Sequence, residues 1–426
     1  MRATALDIFE KTLEVMQPEQ LVSNAVSINK NLIKAGDHHF KQYEINGIYI
    51  LGAGKASARM AEGINNAIGE YISEGMVIAP TKKVKSIGKI RVLPGSHPQP
   101  NEDTLTSTKK LIQLASQIPD DALVFFLISG GTSSLLELPA DGIELEDISE
   151  AYKAILKSGA SIHEMNLIRK QLSDVKGGKL LRYLPNCTLV NLILSDVPGD
   201  DPRHIGSGPT TPDASIPADA LELISRYNME TNLPKPVIQS LEKRSKAQET
   251  SPKKIEPVQI LLGTSLKFAA SASRFAAKYG YKAKVEPSAY DEPAETLVER
   301  MVEDIASNTS GKYALLYHGE STIQVTGNGK GGRNQHVALL LADKLRDEKG
   351  WLALSAGTDG GDGPTDAAGA FADGETVKNG LNYGMQIEDY IRNFNAYPYF
   401  KTLDSLIFTG PTGNNLMDFQ LILIDR

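Results

Sequence analysis

The chain reads as an α/β protein of two α/β domains, and three features of the sequence say so. Short apolar runs rich in β-branched and aromatic residues alternate with helical patterns, which predicts parallel strands joined by crossover helices. Nearly every such run ends in a turn dense in Gly, Ser or Asp, the place where open α/β sheets bind ligands. Between Arg226 and Glu256 the composition shifts to a polar, weakly periodic stretch rich in Lys, Pro and Ser. The boundary is expected inside it, with one domain over 1–245 and a second over 255–426, opened by the strand that starts at Val258.

The expected strands are Ile48–Leu51, Ala122–Ile128, Leu189–Leu194, Val258–Leu262, Tyr313–Tyr317, Trp351–Ser355 and Ser405–Phe408. Their near-continuous apolar character suits strands buried on both faces. With 426 residues, 41% hydrophobic and 23% charged, the chain has the composition of an ordinary globular protein, which excludes disordered, collagen-like and coiled-coil classes. Its one cysteine, Cys187, excludes an intramolecular disulfide and a Cys-based zinc site and fits a reducing compartment. The net charge of −7 argues against non-specific nucleic-acid binding, which draws on Lys and Arg. The longest apolar run, Ala122–Ile128, is too short to span a bilayer, and Asp7 and Glu10 interrupt the start where a signal peptide needs apolar residues. A cytoplasmic protein with no membrane and no nucleic-acid partner is expected, and a homo-oligomer is compatible with it.

Five loops carry unusual chemistry. In LGAGKASARMAEGI, Gly52 and Gly54 permit a tight turn into a helix whose N-terminus suits an anion, with Lys55 adding a full charge. The spacing is not that of a Walker A loop, and Ser57 stands where a dinucleotide fingerprint has its third glycine. In LISGGTSSLLELP, the residues Ser129, Gly130, Gly131, Thr132 and Ser133 make a hydroxyl-rich turn able to close around a phosphate or carboxylate; ordinary N-capping is the plainer reading. In SDVPGDDPRHIGSGPT, Asp196 ends a buried strand, well placed to hold Mg²⁺ beside phosphates, whereas Asp200 and Asp201 read as turn formers.

The fourth loop, HGESTIQVTGNGKGGRNQ, offers Glu320 after a strand, then Lys330, Gly331, Gly332 and Arg333 leading into an apolar helix, a local anion-binding pattern with Arg333 at the helix entrance. The fifth, SAGTDGGDGPTDAAGAF, holds Asp359, Asp362 and Asp366 among five glycines, as metal- or substrate-facing carboxylates. Beside a buried stripe in SIHEMNLIRKQLSDVKGGKLL, the residues Asn166, Arg169, Ser173 and Lys176 recur at helical spacing, and that flank could present cations and hydrogen-bonding groups to a carboxylate. The same spacing fits the charged border of any amphipathic helix. Cations at anion-binding turns and carboxylates at strand ends together fit a phosphate-handling enzyme.

Eight collinear segments carry a resemblance: LGAGKASARMAEG, GSHPQPNE, LISGGTSSLLELP, MNLIRKQLSDVKGGKL, SDVPGDDPRHIGSGPT, TGNGKGGRNQ, GTDGGDGPTDAAGA and FTGPTGNNLMD. They run from Leu51 to Asp418 and resemble the glycerate 2-kinase family, whose second half is a MOFRL domain. The resemblance implies a Rossmann-like N-terminal domain with a largely parallel sheet, a C-terminal MOFRL-type domain, and an active site in the cleft between them. It implies ATP- and Mg²⁺-dependent phosphorylation of D-glycerate at its 2-hydroxyl. By motif position, Lys55, Arg333 and Asp196 take catalytic roles. Gly52, Gly54, Ser129–Ser133, Gly331 and Gly332 would handle nucleotide phosphate, Asn166, Arg169, Lys176 and Asp359 the substrate, and Asp196 with Glu320 the metal. Gly361 and Asn414 depart from the family pattern, where a bulkier apolar residue and Thr are expected. The rival activity is an NAD(P)H-dependent hydroxypyruvate reductase using Gly52-x-Gly54 as a dinucleotide turn. Against it, the stretch from Met76 to Pro80 ends without the acidic residue that ribose recognition requires.

Overall fold

The computed structural model describes residues 1–247, 255–308 and 310–426. It divides into two compact units, one of Pro18–Leu194 with Asp200–Leu262, the other of Met1–Gln17, Ser195–Gly199 and Gly263–Arg426. Residues 248–254, inside the segment expected to hold the boundary, lie outside the described residues.

The first unit begins with the helix Pro18–Ala25, followed by a small antiparallel sheet of β1 (Val26–Asn29), β2 (Leu32–Ala35) and β3 (His38–Lys41). Its main sheet comprises β4 (Ile48–Ala53), β5 (Ile72–Ala79), β6 (Lys85–Ile87), β7 (Ile90–Pro94), β8 (Leu123–Ile128), β9 (Thr188–Leu194) and β10 (Val258–Gly263). The strand order is β10-β9-β8-β4-β5-β7-β6. Pairs β8–β9, β4–β8, β4–β5 and β5–β7 are parallel, and the short β6 runs antiparallel to its neighbour β7. This is the parallel sheet that the alternating pattern predicts, in the Rossmann-like form that the resemblance implies. From β4 the chain builds outward through β5 and β7 on one side, then returns to build through β8, β9 and β10 on the other. The strand order therefore reverses between β4 and β8, the point beyond whose carboxyl ends open α/β sheets bind ligands. Every residue of β8 (LVFFLI) is buried, as a strand covered on both faces requires. A separate apolar cluster joins the helices Leu145–Leu156, Ile162–Gln171, Pro217–Arg226 and Lys235–Lys246.

Two expectations need correction here. Strand β10 does not open the second unit but joins the edge of the first sheet beside β9. The helix expected to run through Lys176 ends at Gln171, because the chain leaves it to bond Leu138–Ala140: Ala140 N–H donates to Leu172 O and Asp174 N–H to Leu138 O. Ser173 and Lys176 therefore do not share a helical flank with Asn166 and Arg169.

The second unit holds a six-stranded sheet of β11 (Lys282–Val285), β12 (Lys312–Gly319), β13 (Trp351–Gly357), β14 (Gly369–Asp373), β15 (Leu406–Ile407) and β16 (Asp418–Asp425), in the order β11-β12-β16-β13-β14-β15. Only β11–β12 is parallel; the other four pairs are antiparallel, so the parallel pattern stops at this sheet. The last strand of the chain, β16, lies at its centre between β12 and β13. The helix Arg333–Lys344 is buried from Asn334 to Ala342. The N-terminal helix Arg2–Val15 belongs to this unit as well: Phe9 stacks on Phe419 at 6.1 Å and meets Phe268 edge-on at 6.0 Å.

Candidate active site

In the first unit the sequence puts Lys55 at the reversal point of the sheet. Gly54, between β4 and the helix Ser57–Ile68, takes φ +139°, and a Cβ there would overlap the Ser129 hydroxyl. That close approach lets the loops after β4 and β8 tie together. Lys55 N–H donates to Gly130 O at 2.9 Å, Ala56 N–H to Ser129 Oγ at 3.1 Å, and Thr132 Oγ1 to Ala53 O at 2.7 Å. The backbone of Lys55 is fixed while its side chain is exposed, with its stem packed near Gly131. His97 packs on the same glycine, and burial, aided by the Lys55 charge, lowers its pKa.

The hydroxyls of the second loop are mostly committed to backbone. Thr132 also donates to Ser129 O and Ser134 to Gly131 O, whereas Ser133 Oγ meets Ser207 Oγ at 2.9 Å. Gly52 lies inside β4, where a Cβ would overlap the Leu127 carbonyl, so sheet packing accounts for that glycine. Asp201 is paired with Arg203, which holds its carboxyl down at about 2, and Asp200 adopts φ +53°; both behave as turn formers.

Of the expected substrate residues in this unit, Asn166 and Arg169 stay half-buried on their helix, with Arg169 over the ring of Tyr152 at 5.0 Å. The helix is fixed by a capping box: the Glu164 carboxylate accepts from Ser161 N–H at 2.9 Å and Ser161 Oγ at 2.7 Å, and from Tyr227 Oη at 2.9 Å. Lys176 is elsewhere. Its ammonium is sealed in an ion pair with Glu137, both fully buried, and Tyr152 Oη donates to the same carboxylate at 3.0 Å.

In the second unit, Arg333 opens its helix and is gripped by two carboxylates. Its Nε donates to Asp418 Oδ2 at 2.5 Å, and a second guanidinium nitrogen pairs with Glu320. Burial pulls the Arg333 pKa down, but Asp418 and Glu320 outweigh it and hold the group above its ordinary value. Burial pushes the Asp418 carboxyl up to about 7 against the pull of Arg333 and Asn334.

The helix entrance is not open to an anion, because the protein supplies its own. Asp362 accepts Asn334 N–H at 3.0 Å and Gln335 N–H at 2.8 Å, capping the first turn, and burial raises its pKa to about 6. A Cβ on Gly332 would overlap that carboxyl, and Gly331 lies against Ala396, so both glycines are accounted for by close packing. The loop carboxylates separate: Asp362 is the cap, Asp366 accepts from Tyr397 Oη at 2.7 Å, and Asp359 is exposed, accepting Gly361 N–H at 3.0 Å. Asp196 is half-buried just beyond β9.

Sequence reasoning missed Asp418 and Glu137. Asp418 closes the last of the eight segments and stands just ahead of the apolar run Leu421–Ile424, which is the signal that could have found it. Glu137 sits between two leucines and carries no such mark.

Mg²⁺ takes one or two carboxylates and completes its shell with phosphate oxygens and water. Among the described residues no group of three or more His, Cys, Asp or Glu gathers. Glu320, one of the two carboxylates expected to hold it, is engaged with Arg333. No helix among the described residues is long and apolar enough to cross a membrane.

The model of a domain of unknown function (DUF4147) matches residues 4–242, and that of the MOFRL family matches residues 313–418. A D-glycerate 2-kinase of Thermotoga maritima is 36% identical over 435 residues, covering 100% of this chain and 98% of its own. A putative hydroxypyruvate reductase of Agrobacterium vitis is 36% identical over 384 residues, 88% of this chain and 98% of its own. The crystal structure of a glycerate kinase from Thermotoga maritima matches with a TM-score of 0.87 at 33% identity, covering 99% of each chain. Shared fold and likeness along the whole chain together define an enzyme of the phosphotransferase class. The chain belongs to the glycerate 2-kinase family.

Proposed function

We propose that this protein is an ATP-dependent glycerate 2-kinase, moving the γ-phosphoryl group of ATP to the 2-hydroxyl of D-glycerate and releasing 2-phosphoglycerate and ADP. The observation that carries the reading is chain-long likeness to glycerate 2-kinases, with Lys55 exposed on a tied loop and Arg333 gripped by two carboxylates. In-line phosphoryl transfer asks a protein chiefly to position two anions and stabilise charge on the migrating group. Lys55 and Arg333 supply that charge, and no phospho-enzyme is needed. Asp196 would hold Mg²⁺, which neutralises phosphate charge when bound. Arg169 and Asn166 are assigned to the substrate carboxylate, with Asp359 near its hydroxyls. Lys176 is left out, since its ammonium is buried against Glu137. The enzyme is placed in the cytoplasm, with small-molecule substrates as its partners.

The reductase name of some relatives finds less support in the fold. Gly52, needed for a dinucleotide turn, is inside a strand, and β5 ends at Ala79 followed by Pro80 with no acidic residue for a ribose. The deciding experiment incubates the protein with ATP, Mg²⁺ and D-glycerate and couples the product to enolase without phosphoglycerate mutase. Signal requires 2-phosphoglycerate. ATP-independent NADH oxidation with hydroxypyruvate, and no enolase signal, would establish the reductase instead.

A further inference from the structure

Arg333 rests on an unusual depth of buried polar structure. Asp418, only 2% exposed, meets Arg333 Nε at 2.5 Å through Oδ2 and Arg333 Nη2 at 3.4 Å through Oδ1. The same Oδ1 accepts from Asn334 Nδ2 at 2.8 Å. Asn334 Oδ1 in turn accepts from Gln420 Nε2 and from Ser355 Oγ, each at 3.1 Å, and Gln420 Oε1 accepts from Tyr290 Oη at 2.7 Å. Asn334, Gln420, Ser355 and Tyr290 are all buried. They come from a helix, two strands and a loop, so the chain runs through the centre of this unit and ends at one guanidinium.

Burying so many polar groups stabilises little unless each is satisfied, and an apolar core would serve stability as well. What a satisfied network does supply is a fixed geometry. We propose that Asp418 is a positioning residue: it aims the Arg333 guanidinium, and Asn334, Gln420 and Tyr290 hold Asp418 still. Of the five N–H donors of a guanidinium, Asp418 and Glu320 engage three, which leaves two to serve the migrating phosphoryl group. This assignment rests on the kinase reading, and its test separates the two.

Turnover is measured in the enolase-coupled assay for the wild type, Asp418→Asn, Arg333→Ala and the double variant, with and without millimolar guanidinium chloride. Loss of a supporting contact of this kind costs about 10- to 100-fold in activity. Asp418→Asn should lose kcat in that range with KM for ATP and D-glycerate little changed. Guanidinium should restore part of the Arg333→Ala activity where Asp418 is present to seat it, and none in the double variant. If Asp418→Asn does not fold, Asp418→Glu keeps the charge but shifts the guanidinium, and it should also lose about tenfold or more in kcat. A wild-type kcat in the folded Asp418 variant, or equal rescue with and without Asp418, overturns the assignment while leaving the kinase reading intact. An inactive wild type overturns both.

Discussion

The backbone N–H of Lys55 donates to the carbonyl of Gly130 at 2.9 Å, binding the loop after β4 to the loop after β8 where the strand order reverses. The lysine is thus held by its main chain, and its ammonium reaches outward from a fixed point. Arg333 is held differently, through its side chain, by Asp418 and Glu320. A flexible cation fixed at its base and a planar one fixed at its head suit different tasks, steering and precise alignment.

Replacing Gly332 by Ala should damage the Arg333 entrance without touching its chemistry. The added Cβ overlaps the Asp362 carboxyl that caps the helix. A stability loss of about 1–3 kcal/mol is expected from such overpacking, together with a fall in turnover, read by urea unfolding and by the coupled assay.

Lys176→Met should destabilise the first unit by about 3–5 kcal/mol, the cost of leaving a buried charge unpaired. The double variant Lys176→Met with Glu137→Gln should recover much of that loss, since Tyr152 keeps an acceptor. Urea midpoints of the single and double variants check this. Equal stability of wild type and Lys176→Met would return Lys176 to the list of substrate residues.

Phe9→Ala should destabilise the C-terminal unit by about 3–5 kcal/mol, as removal of a fully buried aromatic does. Phe9 is 0% exposed and packs on Phe268 and Phe419. Near-ultraviolet circular dichroism through a urea titration gives the shift in midpoint.

Glu164 makes a pH-dependent contribution that is readable in advance. Hydrogen bonds from the Ser161 side chain and backbone, and then from Tyr227, hold its pKa at about 2. A carboxyl depressed in the fold stabilises it above the unfolded pKa, and that stabilisation fades as pH falls toward the folded value. The stability gap between wild type and Glu164→Gln should therefore be open at pH 6 and narrow below about pH 4.5. A gap independent of pH across that window would show that the capping box does not titrate as described.

Strands β4, β8 and β9 of the first sheet were legible in the sequence because strands buried on both faces appear as continuous apolar runs, and Leu123–Ile128 is the plainest of them; β5, β6 and β7 were not among the expected strands. Strand β16 was not, since it opens on Asp418 and carries the buried polar Gln420, and an apolar-run criterion passes over both. Ser405–Phe408 shrinks to the two residues Leu406 and Ile407, because the chain turns away after a single step of pairing with β14. The glycine loops were found, but their occupants were not: that Asp362 fills the helix entrance depends on a residue 29 positions after Arg333 folding back onto it. Lys176 was misassigned for a related reason. Helical spacing places side chains on a flank only while the helix lasts, and tertiary bonding to Leu138–Ala140 ends it at Gln171.

The most direct measurement is the turnover of Lys55→Ala and Arg333→Ala in the enolase-coupled assay, each compared with an active wild type of equal stability. Losing one transition-state contact should lower kcat by about a hundredfold or more in each variant. Near-normal turnover in both would contradict the claim that these two cations carry the phosphoryl group.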